Sequence, residues 1–245
     1  MIKCDPSSKL GISILKRGDF MHSFDFNQVI HSSAGLFRLL NLHNWADEVE
    51  KTFEIENEED DIFDLMRSHH LSHTIIMPSY RFQLEHSNEF AQKMNVGIQR
   101  IGLDTYITDS FKKDATNHFV ESDFNITARF DKPYALLYSW DMHHECTHGL
   151  SGHQIRALFS KNQWTGMTSQ EFLVAQSRCL VNSEQKDKLW TWLVDSSNDA
   201  LTSVGFLDNS AIKVYTCKQG SMNEERGALV THIIPLREVK EYKRD

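Results

Sequence analysis

Three four-residue spacings constrain this chain more than any other feature: Asp25–Gln28, Ser151–Gln154 and Thr168–Glu171. In a capping box the first side chain accepts from the backbone N–H three residues on, and the Glu or Gln there reaches back to the first residue's N–H. Two orphan donors of a helix start are thereby met. Each spacing is followed by apolar residues at helical intervals. Phe26, Ile30, Ala34 and Phe37 follow the first, Ile155, Leu158 and Phe159 the second, and Phe172, Leu173, Ala175 and Leu180 the third. Asn44 predicts another cap, for a helix carrying Trp45, Val49 and Phe53, and residues 60–68 predict a further helix.

Between these helices lie short runs of strand character. His73-Thr74-Ile75-Ile76-Met77 is β-branched and ends at Pro78, which suits a strand end. Residues 80–94 carry Phe82, Phe90 and Met94 at helical spacing, and Val96-Gly97-Ile98-Gln99-Arg100-Ile101 alternates like a strand. Strand, helix and strand with short joints predict a βαβ unit over residues 73–101 with its two strands parallel. Asp104 predicts the cap of a short helix, and Tyr134-Ala135-Leu136-Leu137-Tyr138 a buried strand. From residue 189 the pattern turns β-like, at 189–194, 204–207, 212–216 and 229–234, with Asp208-Asn209-Ser210 as a hairpin turn. The expected fold class is α/β: a mixed sheet with a βαβ unit in the N-terminal half and a more antiparallel C-terminal portion. The expected organisation is one domain over residues 1–245, with its best candidate for a lobe seam in the polar stretch near 112–132.

Composition limits the function classes. The formal charge is −8 with His neutral, and an acidic surface repels phosphate backbones and anionic lipid, which disfavours nucleic acid and membrane partners. No stretch approaches the ~18 apolar residues of a membrane span, and the N-terminus has no apolar run of signal-peptide length. Cys4, Cys146, Cys179 and Cys217 are far apart, a pattern of reduced thiols and not of a disulfide framework. A cytoplasmic location is the expectation.

The compositional oddity is histidine, at 13 residues. His144-Glu145-Cys146-Thr147-His148 matches H-E-x-x-H, in which a helix places two His on one face to bind zinc and the Glu acts as general base on a metal-bound water. Its context here argues against that chemistry. A strand ends near Trp140, a helix begins at Ser151, and Gly149 and Gly152 weaken any helix between them. The expectation is that residues 144–148 form no continuous helix. A looser site remains, in which His144, His148 and His153, with His143 and Cys146 beside them, hold a metal such as zinc from a loop. Cys146 beside His144 or His148 is a second candidate, as a nucleophile pair. His69, His70 and His73 sit between a helix and a strand, where histidines favour a helix C-terminus. The acidic run at residues 54–64 lacks the spacing of a calcium loop. Phosphate-cradling and nucleophile-elbow motifs are absent from the sequence, and no catalytic residue or cofactor is assigned.

Pro133-Tyr134-Ala135-Leu136, the helix at 151–160 and Met167-Thr168-Ser169-Gln170-Glu171-Phe172-Leu173, together with Thr74-Ile75-Ile76-Met77-Pro78 upstream, carry a resemblance. Over residues 74–180 the chain resembles an uncharacterised bacterial family, a domain of unknown function with a P-Y-x-L strand, a polar loop and an L-T-x-x-E-x-L helix start. The resemblance implies a strand-to-helix loop at the His-rich segment. It brings no catalytic residues, and the family's Gly- and Trp-rich C-terminal signature is not matched. Three functions stay open at this point: a non-enzymatic binding or interaction protein with a protein or small-molecule partner, a metal-dependent hydrolase using residues 144–148, and an enzyme whose residues are scattered in sequence.

Overall fold

A computed structural model gives the fold and describes residues 25–51, 53–54, 65–68, 71–100, 105–107, 131–139, 145–181, 190–197, 200–206, 212–218, 220–222, 224 and 226–238. The elements run α1 (Phe26–Leu39), α2 (His43–Glu50), β1 (Phe53–Glu54), β2 (His73–Met77), α3 (Tyr80–Glu85), α4 (Ser87–Arg100), β3 (Thr105–Ile107) and β4 (Tyr134–Tyr138). A 3-10 turn (Glu145–Thr147) precedes α5 (Gly152–Asn162) and α6 (Ser169–Val181). The chain closes with β5 (Trp190–Ser197), β6 (Ala200–Phe206), β7 (Ile212–Lys218), β8 (Arg226–Gly227), β9 (His232–Pro235) and β10 (Arg237–Glu238). The class is mixed α/β.

The central sheet, in the order β2-β4-β9, is antiparallel throughout. β4 is its middle strand, and all five of its residues are buried, which is why Y-A-L-L-Y reads as a continuous apolar run and not as an alternation. The outer edge of β2 is closed by side chains. Ser33 of α1 accepts from the Ile76 N–H at 3.0 Å, and Arg178 of α6 donates to the Thr74 carbonyl. An edge so covered no longer offers a template for pairing. Around this sheet lies the main core, with Phe37, Trp45 and Phe90 packed as a group of aromatic rings.

A second sheet, in the order β3-β7-β6-β5-β8, is antiparallel from β5 to β7 and parallel at its flanks, where β3 pairs with β7 and β8 with β5. The antiparallel C-terminal portion is therefore present. The parallel pairs join segments distant in sequence and not the adjacent strands of a βαβ unit. A smaller core of Ile155, Phe159, Trp192, Val194 and Ala228 lies between α5 and this sheet.

Several expectations are corrected. Residues 96–100 continue α4 and form no strand, so the parallel pair over 73–101 does not exist, and β2 pairs antiparallel with β4 instead. The helical stripe Phe90, Met94, Gly97 explains this. All three are buried, and the Gly97 backbone lies so close to α1 that a Cβ there would sit 2.3 Å from the Leu40 carbonyl oxygen. Glycine in this place serves helix contact, and Val96, 43% exposed, simply faces outward. Residues 105–107 form β3, not a helix capped by Asp104, because pairing with Ile212–Val214 overrides the local cap signal. Asn44 is inside α2 and not its cap; α2 starts at His43 after Leu42, with no side-chain cap. Phe53 has left that helix for β1, paired with Glu238. The expected seam near 112–132, apart from residues 131–132, and the turn at 208–210 lie outside the described residues. Of the helix expected at 60–68, residues 65–68 are helical and the rest lies outside.

Candidate functional site

The His-rich segment meets the fold at the 3-10 turn Glu145–Thr147, which is braced from beneath. Thr147 is fully buried. Its Oγ1 accepts from the Ala228 N–H at 3.0 Å and donates to the Ala228 carbonyl at 3.3 Å. Gly149 takes a φ of +70°, a left-handed turn that glycine adopts without a Cβ penalty, and its N–H donates to the Arg226 carbonyl at 2.9 Å. The Leu150 carbonyl accepts from Trp192 Nε1 at 3.0 Å. Ser151 then completes a reciprocal capping box: its N–H donates to Gln154 Oε1 at 2.9 Å and its Oγ accepts from the Gln154 N–H at 3.4 Å.

The brace is itself held in place. The Arg226 guanidinium stacks over the Trp192 ring at 5.1 Å, a cation–π arrangement. Its Nη1 donates to Ser221 Oγ at 3.2 Å and to Cys217 Sγ at 3.5 Å. Beneath these groups is the smaller core of α5, β5 and Ala228. Above them, Cys146, His148 and His153 are exposed to solvent. The arrangement is a fixed backbone that presents one thiol and two imidazoles.

Residues 145–149 are a 3-10 turn followed by a left-handed glycine and not an α-helix, as the bracketing signals predict. Of the expected metal ligands, His148 and His153 are exposed, and His143 and His144 lie outside the described residues. Among the described residues no three His, Cys, Asp or Glu side chains group as a metal site. His73 begins β2 and stacks on the Tyr138 ring at 5.2 Å; His69 and His70 lie outside the described residues, as do residues 55–64 of the acidic run. Cys146 and Cys217 carry no disulfide.

A second polar group, which sequence reasoning reached only through its Thr168–Glu171 spacing, lies buried at the start of α6. Glu171 Oε2 accepts from the Thr168 N–H at 2.7 Å, and Thr168 Oγ1 accepts from the Glu171 N–H at 3.2 Å. Glu171 Oε1 accepts from the Tyr134 hydroxyl at 2.5 Å. Gln83 Nε2 in turn donates to the Tyr134 hydroxyl at 2.9 Å and to the Pro78 carbonyl at 2.7 Å. Gln83, Tyr134, Thr168 and Glu171 are all 0% exposed. Glu171 and Arg178 are two turns apart on α6, about 10 Å along the helix. Their strand partners are the Tyr134 hydroxyl of β4 and the Thr74 carbonyl of β2; Thr74 stands opposite Leu137 of β4, three residues or about 10 Å along that strand from Tyr134. The helix is thus pinned to the central sheet at both ends. Nothing in the spacing of Gln83, Tyr134 and Arg178 signals this, because their partners are brought in from other elements. The same holds for Thr147, Trp192 and Arg226 at the turn.

No family model, curated protein or solved structure matches the chain. No helix among the described residues is long and apolar enough to cross a membrane.

Proposed function

We propose that the chain is a cytoplasmic binding or interaction protein whose recognition surface is the braced segment 145–153. A single observation supports this most: the Thr147 side chain and the Gly149 and Leu150 backbone are held by hydrogen bonds to Ala228, Arg226 and Trp192, while Cys146, His148 and His153 remain exposed. A surface already rigid before contact loses little conformational entropy on binding. Thiol and imidazole side chains supply hydrogen bonding and soft contacts to a protein or small-molecule partner. The likeness to an uncharacterised bacterial family adds a strand-to-helix loop at this place and no residue roles.

The other reading is a metal-dependent hydrolase with zinc on His144, His148 and His153. One experiment separates the two. The purified protein is loaded with zinc, dialysed and analysed for bound metal, and the variant Cys146→Ser/His148→Ala/His153→Ala is compared with the wild type in partner capture from matched extracts. The binding reading expects substoichiometric zinc and loss of the captured partner at unchanged thermal stability. One zinc per chain, together with a hydrolytic activity that Glu145→Ala reduces by roughly 10²–10⁴-fold as a general base would, overturns it.

A further inference from the structure

We draw no further inference here: the strongest candidate, the half-buried Cys217 thiol at the end of β7 facing the Arg226 guanidinium, is a lone cysteine held by hydrogen bonds inside the fold, with no second observation that points to a ligand.

Discussion

The starts of α5 and α6 share one local device in two surroundings. Ser151 and Gln154 close a capping box at the protein surface, where the Gln154 side chain is exposed. Thr168 and Glu171 close the same box in the interior, where both residues are 0% exposed. In the first, Ser151 is itself buried, but the Gln154 side is open to water, which can replace a hydrogen bond lost there. In the second it cannot, and the acid is shared with the Tyr134 hydroxyl of β4. An identical sequence pattern therefore makes a helix cap in one place and a tertiary pin in the other. The net value of a hydrogen bond is modest, but a buried donor left unmet costs about 1–3 kcal/mol.

The largest expected effect tests this difference directly. Glu171→Ala removes the acceptor of two buried donors, the Tyr134 hydroxyl and the Thr168 N–H, and should destabilise by roughly 3–5 kcal/mol, the scale of two stranded groups. Glu171→Gln keeps one carbonyl acceptor and should lose clearly less. Urea denaturation midpoints at pH 7 give both values. If Glu171→Ala costs no more than about 1 kcal/mol, the interior box is worth no more than a surface cap and the contrast fails.

Next in size is Tyr134→Phe, which withdraws the hydroxyl that links Gln83 to Glu171 and should cost about 1–3 kcal/mol. Its coupling to Glu171→Gln is the sharper measurement. Residues in one hydrogen-bond network show interaction energies of about 0.5–3 kcal/mol, so the double variant should be less destabilised than the sum of the singles. Strict additivity would mean that the two side chains do not act as a unit. Smaller again is Ser151→Ala, at about 1 kcal/mol. The same substitution should loosen the adjoining turn, read as faster amide exchange at Gly149 and Leu150 with little change at β4. Protection lost equally at both places would show that the surface cap is not local.

These contrasts also explain how far the sequence could be read. The Asp25, Ser151 and Thr168 helix starts and the strands at 73–77, 134–138 and 212–216 were legible, the last running on to Lys218, because each rests on spacing within a few residues. Asp25 indeed accepts from the Gln28 N–H at 3.2 Å. That residues 144–148 form no continuous helix is an expectation of a related kind, since a strand end and a capping box bracket them, and residues 145–148 are indeed not α-helical. Residues 96–100 were misread because V-G-I-Q-R alternates as well as a strand does, and the contact of Gly97 with Leu40 that settles the matter lies 57 positions away in the chain. Asn44 was misread as a cap when its amide instead reaches Glu89 on α4. At the candidate site the exposed Cys146, His148 and His153 were visible as residue types. Their support from Thr147, Trp192 and Arg226 depends on long-range contacts with no local pattern.

The smallest expected effect places a third helix start against the first two. Glu89 stands in the first turn of α4, where a carboxylate suits the helix dipole. Like Glu171 it accepts hydrogen bonds, but its partners are the Lys93 ammonium one turn on and the Asn44 amide at 3.2–3.3 Å, and it is partly open to water. The Lys93 hydrogen bond, ahead of its Coulomb attraction and the Asn44 contact, holds the carboxyl below its ordinary value. A carboxyl depressed in the folded state contributes stability that is present above its unfolded pKa, near ~4.3, and is lost as pH falls through the lower folded value. Solvent screening keeps the amount below about 0.5 kcal/mol, the range of exposed i,i+4 pairs. Glu89→Gln should therefore be slightly less stable than the wild type at pH 7. The gap should close as pH falls below the folded pKa, where both side chains are neutral, and it should shrink in 1 M salt, where the Debye length is about 3 Å. Thermal unfolding followed from pH 7 downward, with and without salt, reads the difference. A gap that does not narrow as pH falls, or one above about 1 kcal/mol at pH 7, would place Glu89 with the buried pin of Glu171 and not with the surface cap of Ser151.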